Sequence, residues 1–345
     1  MKNLKLLILI TILPTILVLV ACSSGSELGT PTASVSLQFG GYSTPQEVYN
    51  NSIIPAFQKY WKDKNGQTVT FNASFLGSGT QSRAVIAGFE ADLVHLALEP
   101  DVANIAKAGL ITHDWQADQG GIISSSIVVI AVRKGNPKGI NDWSDLFEPG
   151  IKILMPDPKT SGGAQWNISA VYGAALRGKI KGVGGNNPAV AQQFLSGVLK
   201  NVMVFDRDAR TSITNFENGL GDVAITYENE VKTSRKAGKD IEYVIPYSTI
   251  VIENPSALVD TYVDKHGTRT VASGFMGFLR STEGQRLFAA DGFRPKDPAL
   301  LAEFSSAYSP VRDAWRIDFL GGWPKVAADI FADGGIYQKA LAASR

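Results

Sequence analysis

Asp92-Leu93-Val94-His95-Leu96-Ala97-Leu98 is an almost unbroken apolar run. A short run of this kind between polar stretches is the mark of a strand buried on both faces, inside a parallel sheet. The chain before it sets a rhythm. Val69-Thr70-Phe71 is β-branched and aromatic and reads as a strand. Gly77-Ser78-Gly79 follows it and opens a helix that carries Val85, Ile86 and Phe89. Further upstream, Val35-Ser36-Leu37-Gln38-Phe39 alternates with period two, as a strand does. The stretch from Pro45 to Lys62 then places Val48, Tyr49, Ile53, Ile54, Phe57 and Trp61 on one face of a single helix. Strand, helix, strand, helix in this order predicts an α/β fold on a mainly parallel sheet.

The second half continues the rhythm. Ser126 to Val132 and Ile151 to Met155 read as strands, the latter followed by Pro156 to Gly163 and a helix with Trp166, Ile168, Val171 and Tyr172. Val202 to Phe205 leads into Asp206 to Thr211 and a helix through Phe216, and Val223 to Tyr227 and Tyr243 to Pro246 are further strands. The glycines around Gly182 to Gly185 form a loop and not a dinucleotide fingerprint, because no strand precedes them and no helix opens from them. With 345 residues the chain has room for two lobes, each a sheet flanked by helices, with a cleft between them. In open α/β sheets ligands sit beyond the carboxyl ends of the strands.

Three loops at such ends share one design. Gly77-Ser78-Gly79-Thr80, Thr160-Ser161-Gly162-Gly163 and Asp208-Ala209-Arg210-Thr211 each follow a strand and start a helix. The first N–H groups of a helix lack intrahelical partners, and the helix dipole adds partial positive charge there. Small residues let a ligand approach the backbone. Such a helix start binds anions, and Ser78, Ser161 and Thr211 offer hydroxyl donors besides. Ser, Thr and Gly are equally the ordinary caps of helices, and the pattern by itself leaves both readings open.

The N-terminus differs from the rest. Lys2 and Lys5 precede an apolar run from Leu6 to Ala21, the pattern of a secretory signal. The run is shorter than the roughly 20 residues of a spanning helix and contains Pro14. Leu19-Val20-Ala21-Cys22 resembles a bacterial lipobox, and Cys22 is the only cysteine of the chain. This predicts cleavage before a lipidated Cys22, with residues 22–34 as a small, polar tether. The net charge of +1 gives no reason to expect nucleic acid as a partner.

Pro156-Asp157-Pro158-Lys159-Thr160-Ser161-Gly162-Gly163-Ala164-Gln165-Trp166-Asn167 resembles the signature loop of bacterial sulfate-binding proteins of ABC transporters. Leu76 to Gly79, Glu90 to Leu98, Val132 to Lys138, Glu228-Asn229-Glu230, Phe293 to Asp297 and Phe331 to Gly335 match in the same order, from about Tyr42 to about Tyr337. The resemblance implies a two-lobed periplasmic-binding-protein fold of type II and a dehydrated sulfate held by neutral donors. Those donors are the N–H of Ser43, the backbone and hydroxyl of Ser78, the Ser161 hydroxyl, the N–H groups of Gly162 and Gly163, the N–H of Ala209, and Tyr227. At Tyr227 the family has a tryptophan, at Ser43 an aspartate, and at Asp157 and Gln165 an asparagine and an arginine. Thiosulfate, molybdate and phosphate therefore stand as alternatives to sulfate. Phosphate asks for a carboxylate acceptor, which Asp206 or Asp208 would have to supply.

The resemblance also implies a lipid-anchored, extracytoplasmic monomer that serves a permease and an ATPase subunit, without a cofactor. Lobe one is expected at about residues 35–125 and 248–345, and lobe two at 126–247, closing about a hinge. No G-x-S-x-G, H-E-x-x-H or Walker A motif is present. An exported hydrolase would have only the pair Glu228 and Glu230, which is read as a salt-bridge or hinge feature. His95, in an apolar strand, is read as a core or cleft-edge residue.

Overall fold

The computed structural model describes residues 34–345. The expected signal, Cys22 and most of the expected tether lie outside the described residues. The strands are β1 (Val35–Tyr42), β2 (Val69–Leu76), β3 (Leu93–His95), β4 (Ile122–Arg133), β5 (Ile153–Pro156), β6 (Val202–Asp206), β7 (Val223–Tyr227), β8 (Ile241–Val244), β9 (Ser248–Leu258) and β10 (Asp313–Trp315). They follow the order β2-β1-β3-β9-β4-β7-β5-β6, with β8 on β4 and β10 on β9.

The α/β reading with a mainly parallel sheet holds, with five of the nine pairings described parallel and the other four antiparallel, so that the sheet as a whole is mixed. β1 pairs parallel with β2 and β3, and β5 with β6 and β7. Every antiparallel pairing described involves the long strands β4 or β9. β4 lies on β9 from Ile122 to Ile127 and on β7 from Val128 to Val132. β9 in turn lies on β3 from Ser256 to Leu258. These two strands thus run from one half of the fold into the other, and a chain that crosses and later returns meets itself antiparallel.

The helices that matter for the site are α1 (Ile54–Asn65), α2 (Ser78–Ile86), α3 (Glu99–Lys107), α4 (Gly162–Leu176), α5 (Pro188–Lys200), α6 (Ala209–Glu217), α7 (Glu228–Lys236) and α8 (Ile336–Ser344). The helix expected from Pro45 to Lys62 is present as one unbroken helical run, Gln46–Val48, a wider π segment at Tyr49–Ile53, and then α1. Pro55, which has no N–H to donate, is the second residue of α1. Gly66 closes α1 in the left-handed conformation at φ 68°.

Two large apolar cores flank the crossing strands. One joins Leu37, Phe39, Tyr49 and Phe57 to Phe275 and Phe288. The other joins Val128, Ile130, Trp143 and Trp166 to Trp315, Trp323 and Tyr337. The part of residues 248–345 from β10 onward, expected in lobe one, contributes Trp315, Trp323 and Tyr337 to this second core. From β10 onward its aromatic residues pack on α4 and α5, because Trp315 fills the space left by Gly173 in α4 and Trp323 stands edge-on to Trp166 at 4.7 Å.

Candidate anion site

Three helix starts meet at one place. A methyl carbon built on Gly163, in the first turn of α4, would lie 3.2 Å from Ala209 Cβ, 3.4 Å from Ser161 Oγ and 3.6 Å from Tyr227 Cε1. One built on Gly162 would lie 2.8 Å from Ala97 Cβ, and the Ala97 N–H donates to Ser78 Oγ at 2.9 Å. One built on Gly77, just before α2, would lie 2.6 Å from the Thr160 carbonyl and 3.2 Å from the Arg207 carbonyl. The starts of α2, α4 and α6 are therefore close neighbours, with Tyr227 at the end of β7 beside them. Ser43 is buried, and its neighbour Thr44 accepts from Arg210 at 3.4 Å. All seven residues expected at the site are thus in or beside this region. Cys22 lies outside the described residues.

The caps differ in a telling way. Asp208 caps α6 by accepting from the Thr211 N–H. Ser161 precedes α4 with no side-chain cap bond, and Gly77 has no side chain with which to cap α2. The starts of α2 and α4 thus keep their N–H groups free of side-chain caps.

The hydroxyls divide. Ser78 donates to Asp101 Oδ2 at 2.5 Å, so its single proton is committed to that carboxylate. Burial raises Asp101 to about 6, against the Ser78 bond and the Arg83 charge. Thr211 Oγ1 accepts from Arg207. Tyr227 is fully buried, and its hydroxyl has no hydrogen-bond partner of normal geometry among the described residues. Burial, together with neighbouring Tyr42, pushes that phenol well above its usual range, so it is a neutral O–H donor.

Behind the site several polar groups are paired. The Ala97 carbonyl accepts from Trp166 Nε1 at 2.9 Å and from Asn254 Nδ2 at 3.1 Å. Tyr42 donates to Asn254 Oδ1. His95 is bonded by Tyr49 and Ser124, and burial lowers it to about 3, so it is a neutral core residue as expected. Glu228 forms a two-pronged ion pair with Arg294 at 2.6 and 2.9 Å. Glu230 meets Arg210 at 2.9 Å, and Arg210 also pairs with Glu47 at 2.7 Å. Burial raises Glu230 to about 7, with Arg210 opposing. The acid pair is thus taken up in ion pairs. Asp208 is committed to its cap, and Asp206 accepts at Oδ1 from Asn215, while Asp206 Oδ2 is buried without a hydrogen-bond partner among the described residues.

Asp101, Asn254 and Arg210 as a bridge were not foreseen. Asp101 reads in sequence as an acid in the first turn of α3, and its contact with Ser78 spans 23 residues. Asn254 lies 157 residues from Ala97. No local periodicity carries such pairings.

The chain belongs to the bacterial extracellular solute-binding protein family, which residues 37–294 match. It is 43% identical over 335 residues to the sulfate-binding protein of Synechococcus elongatus, covering 94% of this chain and 92% of that protein. It is 35% identical over 328 residues to the thiosulfate-binding protein of Escherichia coli K12, covering 90% and 95%. Among solved structures, the sulfate-binding protein SubI from Mycobacterium tuberculosis H37Rv matches with a TM-score of 0.78 and 37% identity, over 85% of this chain and 98% of that one. The homologous proteins are solute carriers. Among the described residues no helix is long and apolar enough to cross a membrane.

Proposed function

We propose that this chain captures sulfate outside the cytoplasm and delivers it to an ABC permease. The observation that carries this reading is the convergence of three helix starts around Gly163, Ala209, Ser161 and Tyr227. A buried dianion must recover a large hydration energy, and many short charge-assisted bonds from fixed neutral donors do this. The donors are the N–H groups of Ser43, Ser78, Gly162, Gly163 and Ala209, the Ser161 hydroxyl and the Tyr227 hydroxyl. The Ser78 hydroxyl is left out, because it serves Asp101. Relatives named sulfate-binding, at 39–43% identity, support the choice of ion.

The halves act as two lobes joined by β4 and β9, one at about residues 35–125 and 248–310, the other at about 126–247 and 313–345. Bound ion favours the closed state through contacts made only there. The chain is a non-enzymatic monomer, held to the membrane by a lipid on Cys22 and read by a permease whose ATPase subunit supplies the energy. Thiosulfate is the second reading. Tyr227 supports it, since its hydroxyl stands where the family has an indole and donates from a different distance, as do the relatives named thiosulfate-binding at 35% identity.

Calorimetric titration of the compact unit Ala33–Arg345 with sulfate, thiosulfate, molybdate and phosphate tests this. Saturable sulfate binding with phosphate silent is expected. A preference for thiosulfate selects the second reading, and silence with all four anions refutes both.

A further inference from the structure

We propose that Gly77 governs closure: it is the point where the loop after β2 meets the loops after β5 and β6, and only a residue without a side chain lets them touch. The inference rests on the reading of the chain as a carrier that closes on its ion. Gly77 has φ −55° and ψ 136°, a conformation any residue adopts, so its own backbone does not demand glycine. The demand comes from its neighbours. A methyl carbon would lie 2.6 Å from the Thr160 carbonyl oxygen and 3.2 Å from that of Arg207, well inside contact distance. These are backbone atoms, and the Thr160 hydroxyl donates to the Arg207 carbonyl at 2.8 Å. The two oxygens thus form one tied surface that cannot yield singly.

The contact is also made across the fold. β2 stands at one end of the strand order and β5 and β6 at the other. It is therefore broken when the halves part and remade when they meet. In the parted state the added methyl faces no carbonyl and costs nothing. Gly79, two residues on, is the natural comparison. Its methyl would lie 3.6 Å from the Thr160 oxygen, ordinary contact, and 3.3 Å from the movable end of Arg83.

The test uses the purified full chain, its Gly77→Ala variant and its Gly79→Ala variant. Sulfate affinity, melting temperature with and without sulfate, and the radius of gyration in solution are measured. Gly77→Ala is expected to bind sulfate at least about ten-fold more weakly, because the closed state is the binding-competent one. It should show a reduced sulfate-induced rise in melting temperature and a reduced compaction. Its ligand-free melting temperature should match or exceed that of the parent, since alanine restricts the unfolded chain. Gly79→Ala should lose less affinity than Gly77→Ala. Parental affinity and compaction in Gly77→Ala would overturn the proposal and leave the transport reading intact, as would a lowered ligand-free melting temperature, which places the clash within one half. A parent chain that binds no sulfate removes the reading on which the proposal stands.

Discussion

Replacing Tyr227 with Phe should move stability and affinity in opposite directions. The ring is fully buried and would keep its packing. The hydroxyl has no hydrogen-bond partner of normal geometry among the described residues. An unsatisfied buried hydroxyl costs about 1–3 kcal/mol, so its removal should stabilise the ligand-free protein by about 1 kcal/mol. In a protein of this size that corresponds to a rise in Tm of about 2 °C. The same hydroxyl is a proposed donor to the anion, and a hydrogen bond to a charged group contributes about 1.5–3 kcal/mol. Its loss should weaken sulfate binding by about ten- to a hundred-fold. Differential scanning calorimetry of the ligand-free variant and calorimetric titration with sulfate measure the two halves separately. An unchanged Kd would refute the claim that Tyr227 touches the ion. A lower Tm in the ligand-free variant would show that the hydroxyl is satisfied in the resting protein, and the reasoning from its isolation would fail.

Other residues give sharper single effects. Arg294→Met leaves Glu228 buried and unpaired, so it should cost about 3 kcal/mol in denaturant unfolding with little change in the slope of the transition. Gly173→Ala places a methyl 2.1 Å from the Trp315 ring and should destabilise by about 1–3 kcal/mol through overpacking, visible as a lower Tm and altered tryptophan fluorescence. Burial lowers His266, but Glu90 and Asp92, one on each ring nitrogen, outweigh it and raise the imidazole. A raised imidazole stabilises the fold in full below its unfolded pKa of about 6.5, and that contribution fades as pH climbs through the folded value. His266→Gln should therefore lower the urea midpoint more at pH ~6 than at pH ~8; an equal loss at both would show that the charge plays no part.

The starts of α2, α4 and α6 were legible from residue type, because small residues after a strand and before a helix are a local signal. Their meeting point was not. That Gly163 lies beside Ala209 and Tyr227 depends on which strands are neighbours, and β5 is placed between β7 and β6 by pairing over long stretches of chain. The same limit explains the Ser78 hydroxyl. Its type marks it as a donor to a ligand, and only the fold brings Asp101 within 2.5 Å to take its proton.

By itself the sequence determined the α/β class, the strands from β1 to β7 in outline, the helix starts, and the resemblance that names an oxyanion. These follow from apolar periodicity and from glycine, serine and threonine at element ends, which act within a few residues. Tertiary structure alone decided the mixed sheet, the packing of the C-terminal segment on α4 and α5, the ion pairs that take up Glu228 and Glu230, and the seam at Gly77. Each of these depends on atoms far apart in the chain, where packing space and charge compensation, and not local preference, select the arrangement.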